Sequence, residues 1–169
     1  MSTLTDTLAA RCTAQALVDT PLGPVRIART GSGLAGLWFE GQKHHPGALQ
    51  APLQPDDPLL REATAQLRRY FAGDARAFAL PLDLQGTPFQ RAVWEALLHI
   101  PAGRTCSYGE LARAIGRPRA VRAVGAAVGR NPASLVVPCH RVLGQDGSLT
   151  GYAGGVQRKQ SLLQLEAQA

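Results

Sequence analysis

Apolar positions change their spacing several times along the chain, and each change predicts a different kind of element. Over residues 13–41, TAQALVDTPLGPVRIARTGSGLAGLWFEG sets short apolar segments between Pro-Leu-Gly and Gly-Ser-Gly turns, the punctuation of antiparallel strands in a small meander. The stretch before it, MSTLTDTLAARC, reads as a frayed start, and HHPGALQAPLQP after it as an irregular loop. Asp57-Pro58 then opens a helix running to Phe71 with Gly73 beyond its end, the usual order of start and stop residues. Leu60, Leu67 and Phe71 should pack this helix on the meander. A fresh start follows at Gly86: Thr87 as N-cap, Pro88 in the first turn, then Phe89, Val93, Trp94, Leu97 and Leu98 at helical spacing. We therefore divide the chain into units 1–85 and 86–169.

The second unit continues with two short helices. Ser107 with Glu110 three places on forms a capping box, Leu111, Ala114 and Ile115 make an apolar face, and Gly116 stops the helix. Arg117-Pro118-Arg119 turns the chain into AVRAVGAAVG, which Asn131-Pro132 ends, so the pair has the grammar of a helix-turn-helix. Ala123, Gly125, Ala126 and Ala127 leave its second helix nearly bare. Either another helix packs tightly there, or a nucleic-acid groove does, with Arg122 and Arg130 available for phosphates or the base stack. Residues 134–142, SLVVPCHRV, read as a buried strand ending at Pro138, GQDGSLTGYAGG as a loop, and VQRKQSLLQLEAQ as a terminal helix with Leu162, Leu163 and Leu165 inward.

Charge sharpens this division. Residues 1–85 carry 8 Lys and Arg against 8 Asp and Glu, whereas residues 86–169 carry 10 against 4, so the whole surplus of +6 lies in the second unit. An anion-binding module beside a neutral scaffold is implied. Cys12, Cys106 and Cys139 are odd in number and unevenly spaced, which argues against a disulfide framework and for a reducing compartment. The N-terminus lacks the basic start and apolar core of a signal peptide, and no apolar run is long enough to span a bilayer. We expect a cytoplasmic, nucleoid-associated protein. His44 and His45 have no Cys or carboxylate at ligand spacing, so an exposed loop is expected there rather than a metal site.

Chemistry concentrates at Cys139-His140. A thiol of ordinary pKa about 8.5 needs a base or a positive potential to attack near neutral pH. His140 is the nearest base, although neighbouring side chains in extended chain face apart, so contact requires a turn or a bridging water.

The segments GTPFQRAVWEALLHIP, GRTCSYGELARAIGRP, AVRAVGAAVGRNP, VVPCHRVLG, LTGYAGG and RKQSLLQLE follow one another in an order and spacing that resemble the 6-O-alkylguanine-DNA alkyltransferases, or methylated-DNA–protein-cysteine methyltransferases. TPLGPVRIA and YFAGDARAF extend the resemblance into the first unit. It implies an α+β protein: an N-terminal α/β, ribonuclease H-like domain with a small antiparallel sheet, and a mostly helical, winged helix-turn-helix-like C-terminal domain. It implies single-turnover repair of duplex DNA, in which the alkyl group of O6-alkylguanine, and of O4-alkylthymine, moves to the protein.

By that resemblance Cys139 is the acceptor, His140 deprotonates it through a water, and Glu166 orients His140. Asn131 fixes the turn between helix and active-site segment. Tyr108 donates to the guanine ring as charge develops and crowds the phosphate, while Arg122 fills the gap left by the rotated nucleotide. Ser107, Ala123, Gly125 and Ala126 would line the minor-groove surface. Val142 offers a backbone acceptor to the base, and Tyr152, Ala153 and Gly154 form its lid. Ala153 stands where relatives have serine, keeping the backbone N–H but losing a hydroxyl. No metal or cofactor is implied, because the positions that hold zinc in some relatives are not matched. The partner is alkylated double-stranded DNA, bound by a monomer, with cooperativity on the strand left open. A lesion-binding relative without transfer and a Cys-His thiol hydrolase are the rival readings; the first loses ground because Cys139 is present. The reading needs a sulfur in reach of a swung-out base, which cannot be attacked while stacked.

Overall fold

The computed structural model describes residues 4–168, so the first three residues of the expected frayed start lie outside it. Instead of fraying, Leu4–Arg11 form helix α1. Strands β1 (Ala14–Val18), β2 (Val25–Arg29) and β3 (Leu34–Phe39) make the expected meander, an antiparallel sheet in the order β1-β2-β3. Every residue of β3 is buried, because LAGLWF is apolar on both pleat faces and both are covered. Leu8, Cys12, Ala35 and Trp38 pack on one side, while helix α2 (Pro58–Phe71) lies on the other with Leu60, Ala63, Leu67 and Tyr70 inward. Asp57 caps α2 by accepting from the Leu59 and Leu60 amides, satisfying donors that a helix start leaves free.

Helix α3 (Pro88–Leu97) carries the reciprocal Thr87–Gln90 capping box and buries Val93, Trp94 and Leu97. Leu98, expected on that stripe, is instead exposed at the helix end. Strand β4 (Cys106–Ser107) leads into helix α4 (Tyr108–Ala114), a turn, and helix α5 (Val121–Gly129). Of the Ser107–Glu110 box the half in which Ser107 Oγ accepts the Glu110 amide is formed, at 3.0 Å. The indole of Trp94 donates to the Ala127 carbonyl at 2.8 Å, which pins α5 to α3 along Val124, Ala127 and Val128. Strand β5 (Val142–Leu143) pairs with β4 in parallel, and helix α6 (Val156–Ala167) closes the fold.

A further expectation fails: SLVVP is not a strand. Residues 131–142 are all buried, but they fold into a tight turn because Asn131 replaces the ladder. Its amide donates to the Val137 carbonyl at 2.8 Å and its side-chain oxygen accepts the Ala133 amide at 3.0 Å. Leu135 takes a φ of 73° within this turn, a strained conformation for a branched residue. The turn also covers the free edge of β3, where the Leu37 amide donates to Pro132 O and the Ser134 amide to Leu37 O. Unpaired edge groups are thus satisfied by the segment that leads to Cys139.

Candidate active site

Cys139–Arg141 form a single turn of 3-10 helix directly after Pro138. This turn, rather than extended chain, carries Cys139 and His140 at consecutive buried positions. His140 is fully buried, and its Nε2 lies 2.6 Å from Glu166 Oε1 on α6. Arg141 grips the same carboxylate with two bonds, Nε to Oε2 at 2.9 Å and Nη2 to Oε1 at 2.8 Å, while its Nη1 donates to Ile100 O. Tyr70 of α2 donates to Oε1 at 2.8 Å. Burial alone would raise Glu166, but the hydrogen bonds and charges of His140 and Arg141 win and lower it to about 2.

An ionised carboxylate only accepts, so the His140 proton sits on Nε2 and Nδ1 keeps its lone pair. Desolvation lowers the pKa of the imidazole against the opposing pull of Glu166. The ring is therefore neutral at pH 7, and its Nδ1 has no protein partner. Two more buried polar atoms lie near the sulfur, Ser134 Oγ and Tyr152 OH. Burial raises the Cys139 thiol, while Asn131, Lys159 and Ser134 oppose the rise. Lys159 has no exposure; its Nζ donates to Val142 O at 2.5 Å and to Thr150 O at 3.0 Å. The Val142 carbonyl expected to face a base thus already serves Lys159, with one lone pair remaining.

Cys139 is 5% exposed, less open than attack on a swung-out base requires. A cleft of about 450 Å³ lies in front of it, lined by Lys43, His44, Tyr108, Ala126, Tyr152 and Ala153 among others. Cys139 is not among the described lining residues, since the buried ring of Tyr152 and the half-buried Tyr108 stand beside it. The Tyr108 hydroxyl faces the Thr150 and Gly151 carbonyls at 3.3 and 3.4 Å, and burial with the neighbouring thiols keeps it a neutral donor. Gly154 is held against Phe39 and the Tyr152 ring, and the Lys43 amide donates to Ala153 O at 3.0 Å. Residues 152–154 are therefore tied to the N-terminal half.

The rim of the cleft is α5. Arg122, Ala123 and Ala126 are exposed and Gly125 half-buried. A Cβ on Gly125 would meet only the Tyr108 ring, at 3.8 Å. Among the described residues no helix packs on this face, so its small residues are not explained by packing within the described fold. Arg113, Arg117, Arg119 and Arg130 stand exposed around it. Ser107 spends its hydroxyl on the α4 cap. His44 and His45 sit in a loop where His45 pairs with Glu40 at 3.2 Å, and the described residues hold no cluster of metal ligands.

Arg141, Lys159 and Tyr70 join the site without a part expected of them from the sequence. Lys159 was within reach, since positions 159, 162 and 166 share one face of α6 with Leu162 and Glu166. Tyr70 likewise follows Leu60, Ala63 and Leu67 on the stripe of α2, but a partner 96 residues away leaves no local trace.

Known proteins share this arrangement along nearly the whole chain. Residues 14–84 match the ribonuclease-like domain of 6-O-methylguanine DNA methyltransferase, and residues 88–168 its DNA-binding domain. The methylated-DNA–protein-cysteine methyltransferase of Mycobacterium tuberculosis is 50% identical over 149 residues, 88% of this chain and 89% of the relative. That of Methanosarcina barkeri is 46% identical over 151 residues, covering 89% and 94%. A crystal structure of the Mycobacterium tuberculosis protein in complex with DNA superposes with a TM-score of 0.83 at 46% identity, over 92% of this chain and 93% of that one. Both halves match in order, and the residues around Cys139 sit where those halves meet, so the chain belongs to the 6-O-methylguanine-DNA methyltransferase family.

Proposed function

We propose that this protein repairs DNA by moving the alkyl group of O6-alkylguanine, and of O4-alkylthymine, onto its own Cys139, one group per molecule. One observation supports this most: a buried thiol is followed in one turn by a buried imidazole that is backed by an ionised carboxylate, near a cleft rimmed by a bare, arginine-flanked helix. That set supplies nucleophile, base and orienter.

The step balances without a cofactor. The Cys139 proton passes through a water to His140 Nδ1, and Glu166 stabilises the imidazolium through Nε2–H. The thiolate attacks the alkyl carbon in line; the S–C bond forms as the C–O6 bond breaks, and its electron pair moves into the guanine ring. Tyr108 donates a hydrogen bond to the departing ring as negative charge develops there, and the proton held on the His140 imidazolium returns through water to that ring. The positive charge of Lys159 favours the thiolate throughout. Because the resting sulfur is nearly sealed, the extruded base must displace the Tyr152 lid to reach it, with Arg122 filling its place in the stack. The minor groove suits α5, whose small exposed residues admit the sugar edges. We take the protein to act as a monomer in the cytoplasm, on the nucleoid.

Intact-mass measurement after mixing with duplex DNA containing O6-methylguanine tests the reading. One methyl group should appear on Cys139 and none on Cys139→Ser. Repeated turnover would instead favour a hydrolase, and binding without mass gain a lesion-binding protein. His140→Ala should slow transfer and spare DNA binding, whereas Arg122→Ala should impair base extrusion, read by fluorescence of a base analogue.

A further inference from the structure

We propose that Tyr70, contributed by the N-terminal half, is a positioning residue for transfer: its hydroxyl holds the Glu166 oxygen against which His140 is oriented. This deepens the function proposed above and rests on it. Glu166 Oε1 takes three donors, His140 Nε2 at 2.6 Å, Arg141 Nη2 at 2.8 Å and Tyr70 OH at 2.8 Å, whereas Oε2 takes Arg141 Nε. The Tyr70 bond thus falls on the oxygen that meets the imidazole. Tyr70 is 3% exposed, and its ring is packed edge-on by Phe71 and at a tilt of 36° by Phe78, with centroids 5.2 and 5.4 Å away. Five residues beyond α2, Arg76 Nη1 donates to the Glu166 carbonyl at 2.9 Å and Nη2 to Gln168 O. The N-terminal half therefore grips Glu166 by side chain and by backbone. The phenol stays protonated, because burial and the adjacent Glu166 both oppose its ionisation.

Charged groups facing the imidazole are Glu166, Arg141 and Lys159, and Tyr70 acts on it only through Glu166. A donor on Oε1 withdraws negative charge from the oxygen that stabilises the imidazolium. Removing it should tighten the His140–Glu166 bond electrostatically, raise the His140 pKa, and free the carboxylate to drift.

Tyr70→Phe keeps the ring and deletes the hydroxyl. Two readouts are taken on the full chain: NMR titration of the His140 ring, and single-turnover methyl transfer from O6-methylguanine duplex against pH. The His140 titration should move to higher pH, the acid limb of the rate profile should follow it, and the rate at neutral pH should fall roughly tenfold, the scale of a lost bond to a charged group. In a Glu166→Gln background the hydroxyl deletion should have no further effect on rate. An unmoved His140 titration, or a rate lowered by one factor at every pH, would overturn the proposal, as would an equal loss in the Glu166→Gln background. Failure of the parent protein to transfer would sink the functional reading instead, while the NMR arm would still decide the part played by Tyr70.

Discussion

Burial raises the Cys139 thiol above its ordinary range, while Asn131, Lys159, its own backbone amide and Ser134 push the other way. At rest the group is a protonated thiol with 5% exposure, so it is doubly protected: a reagent must first reach it and then find it ionised. Cys106 is half-buried on β4, and Cys12 is buried with its pKa pushed up to about 11, by burial first and by Asp83 second. A neutral thiol reagent in limited amount should therefore label Cys106 before Cys139 in the free protein, as peptide mapping by mass spectrometry would read. With O6-methylguanine duplex the order should reverse, methyl appearing on Cys139 alone. Preferential labelling of Cys139 in the free protein would mean that its lid stands open without DNA.

At the scale of elements, α5 has one face for the protein and one for a partner. Val124, Ala127 and Val128 are buried against α3 and α4, while Ala123 and Ala126 are exposed. Gly125 has room for a Cβ at ordinary contact distance from Tyr108, so Gly125→Ala should stabilise the fold by up to about 1 kcal/mol through helix propensity. Ala126→Leu should leave the melting temperature near that of the parent and weaken duplex binding at least several-fold in a fluorescence titration, since added bulk meets the groove and not the core. The capped helices were legible beforehand because Asp57, Thr87 and Ser107 act on amides two or three residues away. Residues 134–138 mislead because their apolar run is read as a strand by periodicity, while the hydrogen bonds of Asn131 fold the segment back. Cys139, His140 and Glu166 could be named from the family resemblance; the double grip of Arg141 and the hydroxyl of Tyr70 depend on where α6 ends in space.

Across the whole molecule, the two halves meet at a buried ion network, and that junction ties stability to pH. Glu166 is 2% exposed and has its pKa held near 2 in the fold, against about 4.3 for a free Glu. A depressed carboxyl contributes stability that is present above the unfolded value and is lost as pH falls toward the folded one. The window is therefore about pH 4.5 down to 2, and the contribution is on the order of 3 kcal/mol. His140 acts in the same direction at higher pH: burial lowers its pKa, so the unfolded chain binds its proton first and stability begins to fall as pH drops below about 6.5. Denaturant midpoints measured between pH 7 and 2.5 should thus decline in two stages. In Glu166→Gln the lower stage should flatten, and the variant should already be less stable at pH 7, because Arg141 then keeps its charge in the interior without a counter-charge. A lower stage that persists unchanged in Glu166→Gln would place the acid sensitivity in other carboxyls, such as Asp57 with its Arg29 partner at 3.0 Å, and would remove the junction from control of acid unfolding.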